Sequence, residues 1–282
     1  MKKNLLVIAL SLLSIGCTFL VSNATSNFSN NLAASILNQD DPEIVRDGLP
    51  TLILTMDSLI SGAPDNPDLL AAGASLYVLY DSIFVDDNER SLRLTDRARG
   101  YGLRAMCLVH KPSCVWPNIN YDEFLMSLNG IDPTDANILL SYGLSSLAYL
   151  RVRSTSWDTI AEFPQIQKLF DHYLEVSGDD ANASAYTYIG IMHSLRPPML
   201  GGKPELARMY FEKAIAESNG YDLSAKLEYA RYYARLMYER ELHDQLLNEI
   251  LNADPNHNGF ILTNRVAQKE AIKLLAEADD YF

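Results

Sequence analysis

The stretch Leu69-Leu70-Ala71-Ala72-Gly73-Ala74-Ser75-Leu76-Tyr77-Val78-Leu79-Tyr80-Asp81-Ser82-Ile83-Phe84 decides the fold class. Leu69, Gly73, Leu76, Tyr80 and Ile83 recur at helical spacing along one face, and Leu70, Tyr77 and Phe84 add a second. A helix that is apolar on two faces is buried on both sides. The next stripe, Leu94, Ala98, Tyr101, Ala105 and Leu108, keeps the period, and Ile138 through Leu150 repeats it after an Asp132-Pro133 start signal. Further helices are expected to begin near Asn182, Pro204, Asp222, Glu239 and Phe260. Turn signals stand between them, among them Pro64-Asp65-Asn66-Pro67, Ser177-Gly178-Asp179-Asp180, Ser218-Asn219-Gly220 and Asp254-Pro255-Asn256. No segment alternates with the period of two that a half-buried strand requires. The chain reads as all-α.

Composition agrees. The 282 residues hold 42 Leu and 27 Ala against only 10 Val, a surplus of helix formers over strand formers. With 48% hydrophobic and 21% charged residues, wholesale disorder is excluded. The 23 Lys+Arg against 36 Asp+Glu give a net charge of −13, which lacks the basic footprint that nucleic acid demands.

Small residues recur where two helices must approach. Ala207-x3-Phe211-x2-Ala214 has the second-helix spacing of a tetratricopeptide repeat (TPR), and Gly190 stands where its first helix needs a small residue. Pro197 to Gly202 lengthens the connection beyond the usual unit. Ala98-x3-Gly102-x2-Ala105 echoes the spacing, and Asn252-Ala253-Asp254-Pro255 resembles a repeat's end. Together these predict a TPR-like α-solenoid of stacked helical hairpins.

Ahead of the helices, Lys2 and Lys3 precede the apolar run Leu5–Leu13, which ends in Ser14-Ile15-Gly16-Cys17. A basic start followed by a short apolar run reads as a secretory signal. Small residues leading to a cysteine resemble a bacterial lipobox, although Ser14 occupies the usual Leu position. Residues 1–16 are therefore expected to be a lipoprotein-type signal peptide, with Cys17 lipidated as the new N-terminus. The Ser- and Asn-rich 17–39 would be a flexible tether, and 40–282 a single TPR-like domain. Two other readings stay open: cleavage after Ala24, or an uncleaved anchor over Leu5–Val21, short for an apolar layer of ~30 Å. Cys107 and Cys114 remain as an even pair, either bridged in an oxidising compartment or left as half-buried thiols. With His110 between them they offer three ligands, short of a zinc site.

Catalytic motifs are missing from the sequence. Gly202-Lys203 fails as a phosphate loop, because Pro197 and Pro204 stand where Gly and Ser or Thr are needed. There is no His-Glu-x-x-His or Gly-x-Ser-x-Gly, and His172, His193, His243 and His257 lack metal-ligand spacing. No enzymatic activity, cofactor or metal is expected. One patch does stand out, on the helix expected from Asp222. Leu223, Leu227, Ala230, Ala234 and Met237 form its apolar stripe; Tyr229, Tyr232 and Arg235 lie opposite, with Arg231 and Tyr233 beside the stripe. These five residues suit an organic acid, through stacking and charge-assisted hydrogen bonds, and equally a protein hot spot. Alternatively the tyrosines pack against the neighbouring repeat with their hydroxyls satisfied.

The ordered set of fragments resembles the T component family of tripartite ATP-independent periplasmic (TRAP) transporters, over about residues 40–282. Its marks are Asp41-Pro42-Glu43 running to Asp47-Gly48-Leu49-Pro50, then Ser61-Gly62-Ala63-Pro64-Asp65-Asn66. Leu200-Gly201-Gly202-Lys203-Pro204-Glu205 leads on to Phe211, followed by Tyr229-Ala230-Arg231-Tyr232-Tyr233-Ala234-Arg235, Glu241-Leu242-His243-Asp244 and the ending Ala278-Asp279-Asp280-Tyr281-Phe282. The resemblance implies a periplasmic, usually lipid-anchored TPR-like protein working beside a periplasmic solute-binding subunit and an integral membrane permease. An ion gradient would supply the energy, so no nucleotide site is implied. The implied role is a scaffold that docks the binding subunit and assists transfer of an apolar or organic-acid ligand; homo-oligomers are compatible with it. A general TPR-like envelope lipoprotein, serving as an assembly scaffold, is the alternative from another class.

Overall fold

The computed structural model describes residues 31–282, and within them the chain is helical with no strand. Side-chain caps start the first three long helices. Asp41 accepts from the Glu43 N–H ahead of α1 (Pro42–Gly62), Asn66 from Leu69 ahead of α2 (Pro67–Phe84), and Asp87 from Arg90 ahead of α3 (Asn88–Val109). Pro42 and Pro67 take the first helical turn, where the N–H they lack would have no partner. There follow α4 (Tyr121–Ser127), α5 (Ala136–Val152), α6 (Trp157–Ala161), α7 (Phe163–Ser177) and α8 (Ala183–Ser194). The remaining elements are α9 (Pro204–Glu217), α10 (Leu223–Glu228), α11 (Arg240–Asn252), α12 (Ile261–Ala276) and α13 (Ala278–Tyr281). The starts expected at Asn182, Pro204, Asp222, Glu239 and Phe260 are the N-caps or first residues of α8 to α12. The short α4 and α6 carry too few turns to show a period.

Helix α2 is buried from two sides, as its two apolar faces require. Leu70, Ala74, Tyr77 and Tyr80 are buried, and Ser141 on α5 donates to the Ala71 carbonyl at 2.9 Å. Close approach rests on small residues. A Cβ added to Gly102 on α3 would meet Tyr142 Cα of α5 at 3.1 Å, and one on Gly190 of α8 would meet the Phe211 ring of α9 at 3.0 Å. Those are two of the small residues that the TPR-like spacing singled out. Under α1 to α3, the Asp57 carboxylate accepts from Tyr77 (2.9 Å), Tyr101 (2.8 Å) and Arg97 (2.8 Å). Burial and that carboxylate push the Tyr77 phenol up to about 12, so it stays a neutral donor.

The last long helix returns to the start. Leu262 of α12 sits in one apolar cluster with Ile36, Val45 and Leu49, and Asn38 Oδ1 accepts from the Gly259 N–H at 2.6 Å. Of the segment expected to be a tether, residues 31–37 are thus helical and Ile36 is buried against the domain. The amphipathic Leu32 and Ile36, four residues apart, supply an apolar edge that the Ser/Asn-rich composition masked. The signal peptide, Cys17 and the alternative anchor lie outside the described residues. Among the described residues no helix is long and apolar enough to cross a membrane.

At the end of α3, Cys107 and Cys114 face each other with Cα atoms 4.6 Å apart and their sulfurs at bonding distance. Beside them Trp116 is buried, packed on Phe124 and Tyr142 with ring centroids 5.3 Å away in each case. In the loop-entropy model a bridge closing so short a loop stabilises by about 2.5 kcal/mol. Reduction with a phosphine is expected to lower the urea midpoint correspondingly; an unchanged midpoint would leave the two cysteines as thiols.

Candidate functional site

The Tyr/Arg flank lies where α10 changes its winding. From Tyr229 to Ala234 the backbone bonds i to i+5, a π-helical turn that then runs on into Arg235. Such a turn advances each residue by less than an α-helical step, so side chains drift from the positions that a period of 3.6 assigns. Tyr229, expected opposite the apolar stripe, and Tyr233, expected beside it, are both in the core. Tyr229 stacks on Phe211 at 5.1 Å, with its hydroxyl toward Glu212, and Tyr233 donates to Glu239 at 3.2 Å. Burial drives the Tyr229 phenol far above its ordinary range.

The two arginines point to different places. Arg235, mostly buried, reaches Glu277 at 3.3 Å and lies over the Tyr281 ring at 4.8 Å. Arg240 pairs with Asp279, and His243 meets the Phe282 ring edge-on at 5.1 Å. Three separate sequence fragments, Tyr229–Arg235, Glu241–Asp244 and Ala278–Phe282, therefore form one clamp on the C-terminal segment. This part of the patch holds the chain together.

Arg231 and Tyr232 face another set of groups. Arg231 bridges Glu228 at 2.7 Å and Glu270 at 3.4 Å, and Lys273 holds Glu270 from the far side at 2.6 Å. Burial pushes the Glu228 carboxyl up, against the pull of Arg231 and, further off, Arg151. Tyr188 on α8 belongs to the same set; burial and the Glu228 and Asp222 charges push its phenol up to about 12. Tyr232 is shifted upward for like reasons, by burial and Glu228. Behind them Asp81 of α2 is fully buried and takes Arg151 Nη2 at 2.7 Å, while the outer half of Arg151 remains accessible. Asp81, Arg151, Tyr188, Glu228, Arg231 and Tyr232 thus come from four separate parts of the chain to make a polar inner face. Of the five residues read from sequence, only Arg231 and Tyr232 belong to it. The others were missed, although Asp81 left a signal: it is the one acid inside the two-faced apolar stretch of α2.

Chemically this face offers a guanidinium with free donors, a partly buried phenol and carboxylates already neutralised by arginine. It can take up an anionic group or a polar protein surface. Among the described residues no three His, Cys, Asp or Glu side chains are placed to hold a metal ion.

Helices seated on small residues, with polar groups gathered from several of them, define an all-α protein. A family model for TRAP transporter T-components matches residues 38–282. The chain belongs to that family, and its role is accessory to a TRAP transporter. None of the curated proteins compared matches it.

Proposed function

We propose that this T component docks the solute-binding subunit of its transporter from the periplasmic side and assists transfer of an apolar or organic-acid ligand. The half-exposed Arg151 guanidinium, held on a buried Asp81 beside Tyr188, Arg231 and Tyr232, is the observation that carries it. An arginine whose inner edge is fixed and whose outer edge is open is prepared for a carboxylate at little entropic cost. No catalytic chemistry is invoked: binding and handing on a solute needs complementary groups and no turnover.

Gentle detergent extraction from native cells, with this chain as bait, is expected to recover a solute-binding protein. Tyr232→Ala should weaken that recovery about tenfold, a loss of about 1.4 kcal/mol in binding, while the far-UV circular dichroism stays that of the parent. Recovery of envelope-assembly factors alone would instead establish the general scaffold reading. Attachment to the membrane through lipid on Cys17 completes the proposal. Radiolabelled palmitate should enter the parent chain and not Cys17→Ala; equal label in both would remove the lipid anchor.

A further inference from the structure

Outside the polar inner face, a cleft of about 620 Å³ lies between α7 and the start of α9. The volume is within the range of small-molecule sites. Two of its lining charges stand out. Asp171, half-buried on α7, and Lys203, exposed ahead of α9, form no ion pair or side-chain hydrogen bond among the described residues. The other charged pair there, Lys168 and Glu175, is already matched at 3.4 Å, with His172 also on Glu175 at 2.9 Å. An acid and a base that line one cleft without pairing offer opposite charges to a ligand that carries both.

The surroundings are built firmly. Gln167 Nε2 lies 3.0 Å from His193 Nδ1, fixing the buried imidazole. The Tyr210 ring is stacked on His193 at 5.9 Å and 9°, and on Tyr186 at 6.3 Å and 16°. Lys203 is positioned by its backbone. Its N–H donates to the His193 carbonyl at 3.2 Å, and Gly202 passes so close to the Arg196 carbonyl that an added Cβ would lie 1.6 Å from it. The Gly201-Gly202-Lys203 sequence, useless as a phosphate loop, thus sets one ammonium at the edge of an aromatic shelf. Leu174 and Leu206 supply apolar wall beside the charges.

We propose that this cleft binds a free α-amino acid with an apolar side chain, its ammonium on Asp171, its carboxylate on Lys203 and its side chain against Tyr210 and Leu206. The Asp171 carboxyl is raised mainly by burial and held down by Lys168 and Lys203, so a bound ammonium would relieve the cost of burying it. The site does not depend on the transport reading, and either can fail without the other.

Isothermal titration of the whole chain with L-phenylalanine, 3-phenylpropionate and phenethylamine tests it. The amino acid is expected to bind at least tenfold more tightly than either half-ligand. Asp171→Asn should weaken L-phenylalanine about tenfold and leave 3-phenylpropionate unchanged. Lys203→Gln should do the converse, leaving phenethylamine unchanged. Both positions are on or near the surface, and unaltered thermal midpoints will show that both variants fold. Equal binding of all three compounds, L-phenylalanine affinity unchanged in both variants, or no heat from L-phenylalanine at millimolar concentration would each overturn the assignment.

Discussion

Phe211→Ala is expected to lower the unfolding free energy by about 3–5 kcal/mol, the range for removing a fully buried aromatic ring. The ring has no exposed surface, covers Gly190 on α8 and stacks on Tyr229 of the π-helical turn. With Ala207 and Ala214 it joins the α8–α9 hairpin to the next element. Its loss leaves a cavity that the helices cannot close without dragging Tyr229 from its own packing. Urea unfolding followed by tryptophan fluorescence and by circular dichroism measures the loss. A change below 1 kcal/mol would mean that α8 and α9 re-seat on each other, and that Gly190 is not their contact point.

Arg151→Ala is expected to cost about 3 kcal/mol, because removing one partner of a buried ion pair strands the other. Asp81 is wholly inside, and its second carboxylate oxygen has no hydrogen-bond partner among the described residues. The value belongs at the lower end of the usual range, since the outer half of Arg151 is in water and already partly screened. Asp81→Leu with Arg151→Ala should recover most of the loss, as a well-packed apolar pair often equals a buried ionic one. The coupling from the double-mutant cycle is the measurement. Additive losses would show that Arg151 does not compensate Asp81, and would remove the basis on which the inner face is prepared for an anion.

Much of the fold was legible because its signals are local. Asp41, Asn66, Asp87, Asn182 and Asp222 each act on a backbone N–H two or three residues ahead, so a cap can be read without knowing the tertiary structure. The close helix contacts at Gly102 and Gly190 were legible for a related reason: a small residue at a fixed spacing reports a neighbour's approach. The candidate site was less so. Periodicity assigns Tyr229 and Tyr233 to a face by assuming 3.6 residues per turn, and the π turn breaks that assumption. Nor does a pattern name partners. Asp81 meets Arg151 across 70 positions, and Arg231 meets Glu270 across 39, so only the folded chain reveals which charges are spoken for.

The seam between the two ends of the domain has a mechanical side. A row of hairpins held only by neighbours yields from whichever terminus is pulled, one unit at a time. Here Ile36 and Leu49 share a cluster with Leu262, and Asn38 holds Gly259. Tension applied at the start of the described residues would reach α1 and α12 together. A pull on α1 would therefore also strain α12, where an open row would yield at its first hairpin alone.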